Sequence, residues 1–184
     1  MNYSIPPAKG FPPSFFAASL AQKVAYFVAT TFGTGHLPAS GTWGALVAWL
    51  IHAFLFPECF TFAHWPLAIF ILVIIICVGI GSAEMTERLS SVKDDSRVNI
   101  DEVAGYCVAV LFLPAGLQYT IPAFILCRVF DIIKPPPARN LQNLHGGVGI
   151  MIDDLIASVY ACLAMHALIF LGWPDRIMRW FTSS

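Results

Sequence analysis

The stretch Pro66–Ala83, "PLAIFILVIIICVGIGSA", decides the fold class. Eighteen consecutive residues carry no charge. An α-helix needs roughly that many to cross the hydrocarbon core of a bilayer. The whole chain agrees with this reading. Of 184 residues, 58% are hydrophobic and only 11% are charged, with a mean hydropathy of +0.73. A soluble domain carries about 25% charged residues, so lipid is the solvent that explains the shortfall.

Working outward, Ser40–Pro57 is a second uncharged window, weakened by Gly41, Gly44 and His52. Val103–Cys127 is uncharged but interrupted by Pro114, Gly116 and Pro122, and is too long for one straight helix. It divides near Gly116–Thr120 into a helical hairpin that continues to about Ile133. Leu155–Pro174 is the last window. The expectation is an all-α integral membrane bundle with about five embedded helices, four being the main alternative. Ala17–Thr31 contains Gln22 and Lys23 and reads as a short helix lying at the interface. Residues 1–14 form an N-terminal arm, and 15–184 one membrane-embedded domain. The arm is rich in proline and has no basic start followed at once by an apolar core, so it does not read as a signal peptide.

Basic residues set the orientation. With five spans, Lys9, Lys23, Arg88, Lys93, Arg97, Lys134 and Arg139 fall on one side, and only Arg176 and Arg179 on the other. The first side is therefore expected to be cytoplasmic. Phe32–Gly44, Glu84–Glu102 and Arg128–Asp154, the polar segments, all land there. The net charge of −1 leaves no basic footprint for nucleic acid. The five cysteines have no C-x-x-C spacing and read as small apolar packing residues. Oligomeric state is not legible.

Four constellations carry possible chemistry. "TFGTGHLPASGTWG", residues 31–44, has four glycines, three threonines, a serine and a histidine. Glycine lets backbone N–H groups approach an anion, and hydroxyls add donors. Thr34, Gly35, Ser40 and Thr42 are its candidate substrate-binding positions; a tight interhelical loop with a helix cap is the plainer reading. "KDDSRVNIDE", residues 93–102, places Asp94, Asp95, Asp101 and Glu102 within nine residues. Clustered carboxylates suit Mg²⁺, a hard cation; acids in a first helical turn also suit the helix dipole. "RVFDIIKPPPAR", residues 128–139, spaces Arg128, Asp131 and Lys134 three apart, on one helical face. Ionisable groups at membrane depth usually face the interior and mark function. "HGGVGIMIDD", residues 145–154, puts His145 before a glycine turn and Asp153 and Asp154 in the first turns of the following helix. Adjacent residues point about 100° apart, so one acid aims at a site and the other flanks it. Carboxylates for a metal, cations for an anion and glycine-rich loops on one face suit phosphoryl chemistry. A phosphorylated lipid head group is the natural substrate at such a surface. A carboxylate-lined ion or solute path is the alternative.

These segments resemble the phosphatidylglycerophosphatase A family of bacterial lipid phosphatases. "FGTGHLPASGTWGAL" is similar to its G-S/T-G…P-G-T-x-G-S block, and "DDSRVNIDEVAG" to D-P-x-x-I-V-x-D-E-x-x-G. "RVFDIIKPPPAR" resembles R-x-x-D-x-x-K-P-x-P-x-R, and "HGGVGIMIDDLIAS" resembles H-G-G-x-G-I-M-I-D-D-x-x-A-G. Asp95 stands where the family often has proline, Asn99 where an apolar residue is usual, and Ser158 where glycine is common. The resemblance implies Mg²⁺-dependent hydrolysis of the terminal phosphate of phosphatidylglycerophosphate at a bacterial inner membrane. It makes Asp94, Asp101, Glu102, Asp131, Asp153 and Asp154 the acidic, metal-binding candidates. Arg128, Lys134 and Arg139 become phosphate or head-group clamps, Asp131 and Asp154 catalytic acids, and His145 a proton donor.

Overall fold

The computed structural model describes residues 10–93, 95–141 and 146–173. Among these the only regular structure is helical, with six α-helices of ten residues or more, one single-turn α-helix and three short 3-10 turns. They are α1 (Leu20–Ala29), α2 (Ser40–Leu55), α3 (Trp65–Ser90), α4 (Ile100–Ala109), α5 (Leu117–Ile133), α6 (Ala138–Leu141) and α7 (Gly146–Phe170).

Local chemistry sets the boundaries. Ser19 and Gln22 form a capping box that starts α1. Pro66 in the first turn of α3 has no N–H to leave unpaired. Ser91, at φ 56°, ends α3 in the left-handed region. At about 1.5 Å per residue, α3 and α7 are about 39 and 37 Å long. Among the described residues two helices are long and apolar enough to cross a membrane, Phe62–Ser90 (counting the short turn before α3) and Gly146–Phe170. The expected window at Ser40–Pro57 becomes α2, about 24 Å long.

The expected hairpin differs most. The break falls at 110–116, earlier than Gly116–Thr120, and α4 is only about 15 Å long. Phe112 takes a positive φ of 63° and its N–H donates to the Phe60 carbonyl at 2.7 Å. That bond stops α4 short of Pro114. α4 is the core of the bundle: every residue from Ala104 to Val110 is buried, and α2, α3, α5 and α7 pack around it.

The outer faces are apolar. Leu117, Ile121, Ile125, Val129 and Ile132 of α5 recur every three or four residues and are exposed. Phe70, Val73, Ile74 and Val78 do the same on α3. On α1, Leu20, Val24 and Phe27 form a further exposed stripe. Continuous apolar faces of this extent mark contact with a nonaqueous phase or a partner.

The starts of α2, α4 and α7 meet the ends of α3 and α5 at one end of the bundle. Gly147 shows how closely. A Cβ there would strike the Ile80 carbonyl of α3, so glycine lets the first turn of α7 press on α3. The Glu84 carboxylate then accepts the Gly147 N–H at 2.8 Å, filling one of the orphan donors at a helix start. The glycines of "GGVG" thus lie inside α7 rather than in a turn before it, and Asp153 and Asp154 fall about two turns into the helix.

Candidate active site

Three helices converge their charged residues at this end. Glu102 comes from the first turn of α4, Arg128 and Asp131 from the last turns of α5, Lys134 from its C-cap, and Asp153 and Asp154 from α7. The three-residue spacing on α5 aims Arg128, Asp131 and Lys134 at one line of acids. Arg128 pairs with Glu102 through Nη1 and with Asp131 through Nη2, the latter at 3.1 Å. Lys134 Nζ lies 2.5 Å from Asp153, 2.8 Å from Asp154 and 3.4 Å from Asp131. All four acids are buried.

Glu102, Asp131 and Asp154 each offer a carboxylate oxygen within 4.8 Å of the others. Asp153 flanks this triangle through Lys134. Four buried carboxylates face two cations, an excess of two negative charges, and uncompensated buried charge is costly. Asp153 Oδ1 and Arg128 Nε are buried with no hydrogen-bond partner. An all-oxygen donor set, surplus negative charge and an orphaned carboxylate oxygen fit a hard divalent cation. Lys134 carries part of the balance. Burial alone would lower its pKa; the carboxylates of Asp154, Asp153 and Asp131 outweigh burial and hold the ammonium above its ordinary value.

Gly41, which sequence reasoning passed over, is part of this centre. A Cβ at Gly41 would collide with Glu102 Oε1 and lie 3.0 Å from Arg128 Nη2. The first turn of α2 therefore forms a wall of the acid–base cluster, and only glycine fits it. The signal in the sequence was the "SGT" at the helix start.

The other predicted residues take different places. Asp101 is half-buried at the start of α4, where its carboxylate accepts the Glu102 N–H at 3.0 Å. It stands within electrostatic reach of Asp131, Asp153 and Lys134. Thr34 and Ser40 spend their hydroxyls on the protein: Thr34 accepts from Asn99 Nδ2 at 3.0 Å, and Ser40 donates to the Ser96 carbonyl at 2.7 Å. Gly35 is packed against the Arg97 carbonyl, where a Cβ would clash. Thr42 is exposed in the first turn of α2, which begins two residues before it. Arg139 is exposed on α6. Asp94 and His145 lie outside the described residues.

Two departures from the family pattern gain a structural reason. Asp95 is buried and pairs with Arg97 at 2.8 and 2.6 Å, a two-pronged bond. Arg97 also donates to the Gly10 carbonyl at 2.6 Å, fastening the N-terminal segment. Asn99 is wholly buried and bridges Thr34 to the Ser40 carbonyl. It holds the loop before α2 on the residues before α4, and so fixes Gly41 relative to Glu102.

Fold and site together define a class: an all-helical protein with membrane-length apolar helices and, at one end, a buried centre of carboxylates and cations whose acids could hold a metal ion. The phosphatidylglycerophosphatase A family model matches residues 27–169. A Bacteroides thetaiotaomicron protein named as a candidate phosphatidylinositol-3-phosphatase is 40% identical over 73% of this chain and 86% of its own length. Phosphatidylglycerophosphatase A of Escherichia coli K12 is 33% identical over 83% of this chain and 87% of its own, and that of Haemophilus influenzae 32% over 78% and 87%. No solved structure matches. The chain belongs to the phosphatidylglycerophosphatase A family. It is accordingly an enzyme, a phosphoric monoester hydrolase.

Proposed function

We propose that this enzyme hydrolyses the terminal phosphate monoester of phosphatidylglycerophosphate, with Mg²⁺, to give phosphatidylglycerol and phosphate. The observation that carries the reading is the triangle of Glu102, Asp131 and Asp154, with oxygens within 4.8 Å, beside Arg128 and Lys134. When bound, the cation polarises the phosphoryl oxygens and offsets the charge that develops in the transition state. Glu102, Asp131 and Asp154 would hold it, with Asp153 and Asp101 at the flank and Asp94 a further candidate. Arg128 and Lys134, which stand beside these acids, are the proposed partners of the phosphate, where fixed cations would stabilise developing negative charge. Burial of the acids keeps bulk water from competing for those contacts. His145, next to the start of α7, is the proposed proton donor to the departing alkoxide. Thr42 and Arg139, both exposed, are the proposed head-group contacts, and Thr34, Gly35 and Ser40 hold the loop before α2 in place.

The enzyme works at the bacterial inner membrane as a multi-pass protein. About five helices are embedded, α1 lies at the interface on its Leu20–Val24–Phe27 stripe, and the site faces the cytoplasm. The apolar outer faces and the seven-to-two bias of basic residues support this placement. A carboxylate-lined ion path would need polar groups through the depth of the bundle; among the described residues the buried acids gather at one end.

A second reading takes phosphatidylinositol 3-phosphate as substrate, and the 40% identity to the B. thetaiotaomicron protein favours it. Phosphate release from each lipid by the purified protein separates the two. Asp131→Asn and Asp154→Asn should abolish release from the preferred lipid in a folded protein. Near-wild-type turnover in both variants would remove the proposed site.

A further inference from the structure

A cavity of about 460 Å³ lies between α2, α3 and α4, apart from the charged centre. Ala48 and His52 of α2, Ile71 and Ile75 of α3, and Val103 and Cys107 of α4 form its walls. The wall's one ring nitrogen pair belongs to His52, whose Nδ1 bonds the Tyr106 hydroxyl at 2.8 Å. Ile51, Phe56 and Leu67 stand at its mouth and are 43%, 60% and 46% exposed, so the cavity opens on the apolar outer face.

We infer that this cavity binds an acyl chain of the phospholipid whose phosphate occupies the Glu102–Arg128 centre. The inference rests on the lipid substrate proposed above. Its first support is position. Val103 follows Glu102 directly on α4, so the cavity begins on the turn beneath the acid layer. α2 ties the two together, because Gly41 in its first turn walls the acids and Ala48 and His52, two to three turns on, wall the cavity. A lipid with its phosphate at that end must run its tails along the bundle in the direction the cavity takes. The second support is the lining. From Ala48 to Phe56 the cavity extends about 12 Å along α2, and every residue of its wall except His52 is apolar. A flexible, wholly apolar chain suits such walls.

The test reads binding without needing turnover. Wild-type protein is placed in phosphatidylcholine vesicles with a trace of phosphatidylglycerol bearing a diazirine within one acyl chain, irradiated and mapped by peptide mass spectrometry. The expected labels fall on 48–60, 67–75 and 103–107, and drop at least fivefold in Ile71→Trp, which fills the cavity. Leu67→Trp, at the exposed mouth, serves the same purpose should Ile71→Trp fail to fold. Labels spread evenly over exposed Ile125, Val159 and Leu163, or unchanged by filling, would overturn the inference. In parallel, filling should raise KM for long-chain lipid at least fivefold while kcat/KM for a short-chain analogue stays within twofold. Cavity labelling in a protein that releases no phosphate from either lipid would leave this inference standing and remove the proposed activity instead.

Discussion

Gly41→Ala is the most discriminating substitution. In an exposed helix, alanine is favoured over glycine by about 1 kcal/mol. At Gly41 the new methyl would occupy the place of Glu102 Oε1 and press on Arg128 Nη2 at 3.0 Å. Restoring ordinary contact at about 3.5 Å requires the Glu102 carboxylate to move by more than about 1 Å. That carboxylate is the far end of a flexible side chain, so the fold can yield; the cost falls on the centre. A displacement of about 1 Å in a catalytic group is enough for about a hundredfold loss of rate, or about 2.7 kcal/mol of transition-state stabilisation. Thermal stability should change by less than the activity does, because helix propensity offsets part of the strain. Gly81→Ala is the control. Gly81 sits in α3 with nothing within 4 Å of an added methyl, so it should gain stability at unchanged activity. Phosphate release gives kcat/KM, and a thiol-reactive or light-scattering melt gives the midpoint. Gly41→Ala with kcat/KM within threefold of wild type would refute the assignment of α2 as a wall of the site.

Lys134→Met removes the cation shared by Asp131, Asp153 and Asp154; losing one partner of a buried ion network should destabilise the metal-free protein by about 3 kcal/mol. Mg²⁺ should then raise the melting midpoint more in the variant than in wild type. Because the folded-state pKa of Lys134 is raised, its stabilisation should be full below about pH 10.4 and fade only as the pH climbs through the higher folded value. Melts from pH 7 to 11 on both proteins check this. Asp95→Ala should cost about 3 kcal/mol by leaving Arg97 buried and unpaired. The double variant Asp95→Ala, Arg97→Met should lose less, which a double-mutant cycle of denaturation midpoints will show.

Much of the charged centre was legible because helical spacing is legible. Arg128, Asp131 and Lys134 three apart define one face by spacing alone, and two adjacent acids in an apolar run demand a partner. The fold brings that face onto both acids. Helix lengths were less legible, since composition reports solvent and not where the backbone turns. α4 is uncharged beyond Glu102, yet it stops at Ala109 because Phe112 bonds the distant Phe60 carbonyl. Gly41 and Glu84 escaped for the same reason. Their roles, a wall against Glu102 and an acceptor for the start of α7, come from helices far apart in sequence. Asp95 read as one of four clustered carboxylates and Arg97 as a basic residue of the cytoplasmic side, and their mutual burial depends on Gly10 and Tyr26 arriving from the N-terminal segment.

The central claim is that these buried carboxylates hold a divalent cation needed to release phosphate from a phospholipid. Phosphate release from phosphatidylglycerophosphate by the purified protein in detergent, after chelation and during Mg²⁺ titration, tests it most directly. The account predicts no release after chelation, saturable recovery with Mg²⁺, and no recovery in Asp154→Asn. Undiminished release from the chelated enzyme, or full recovery in Asp154→Asn, would contradict it.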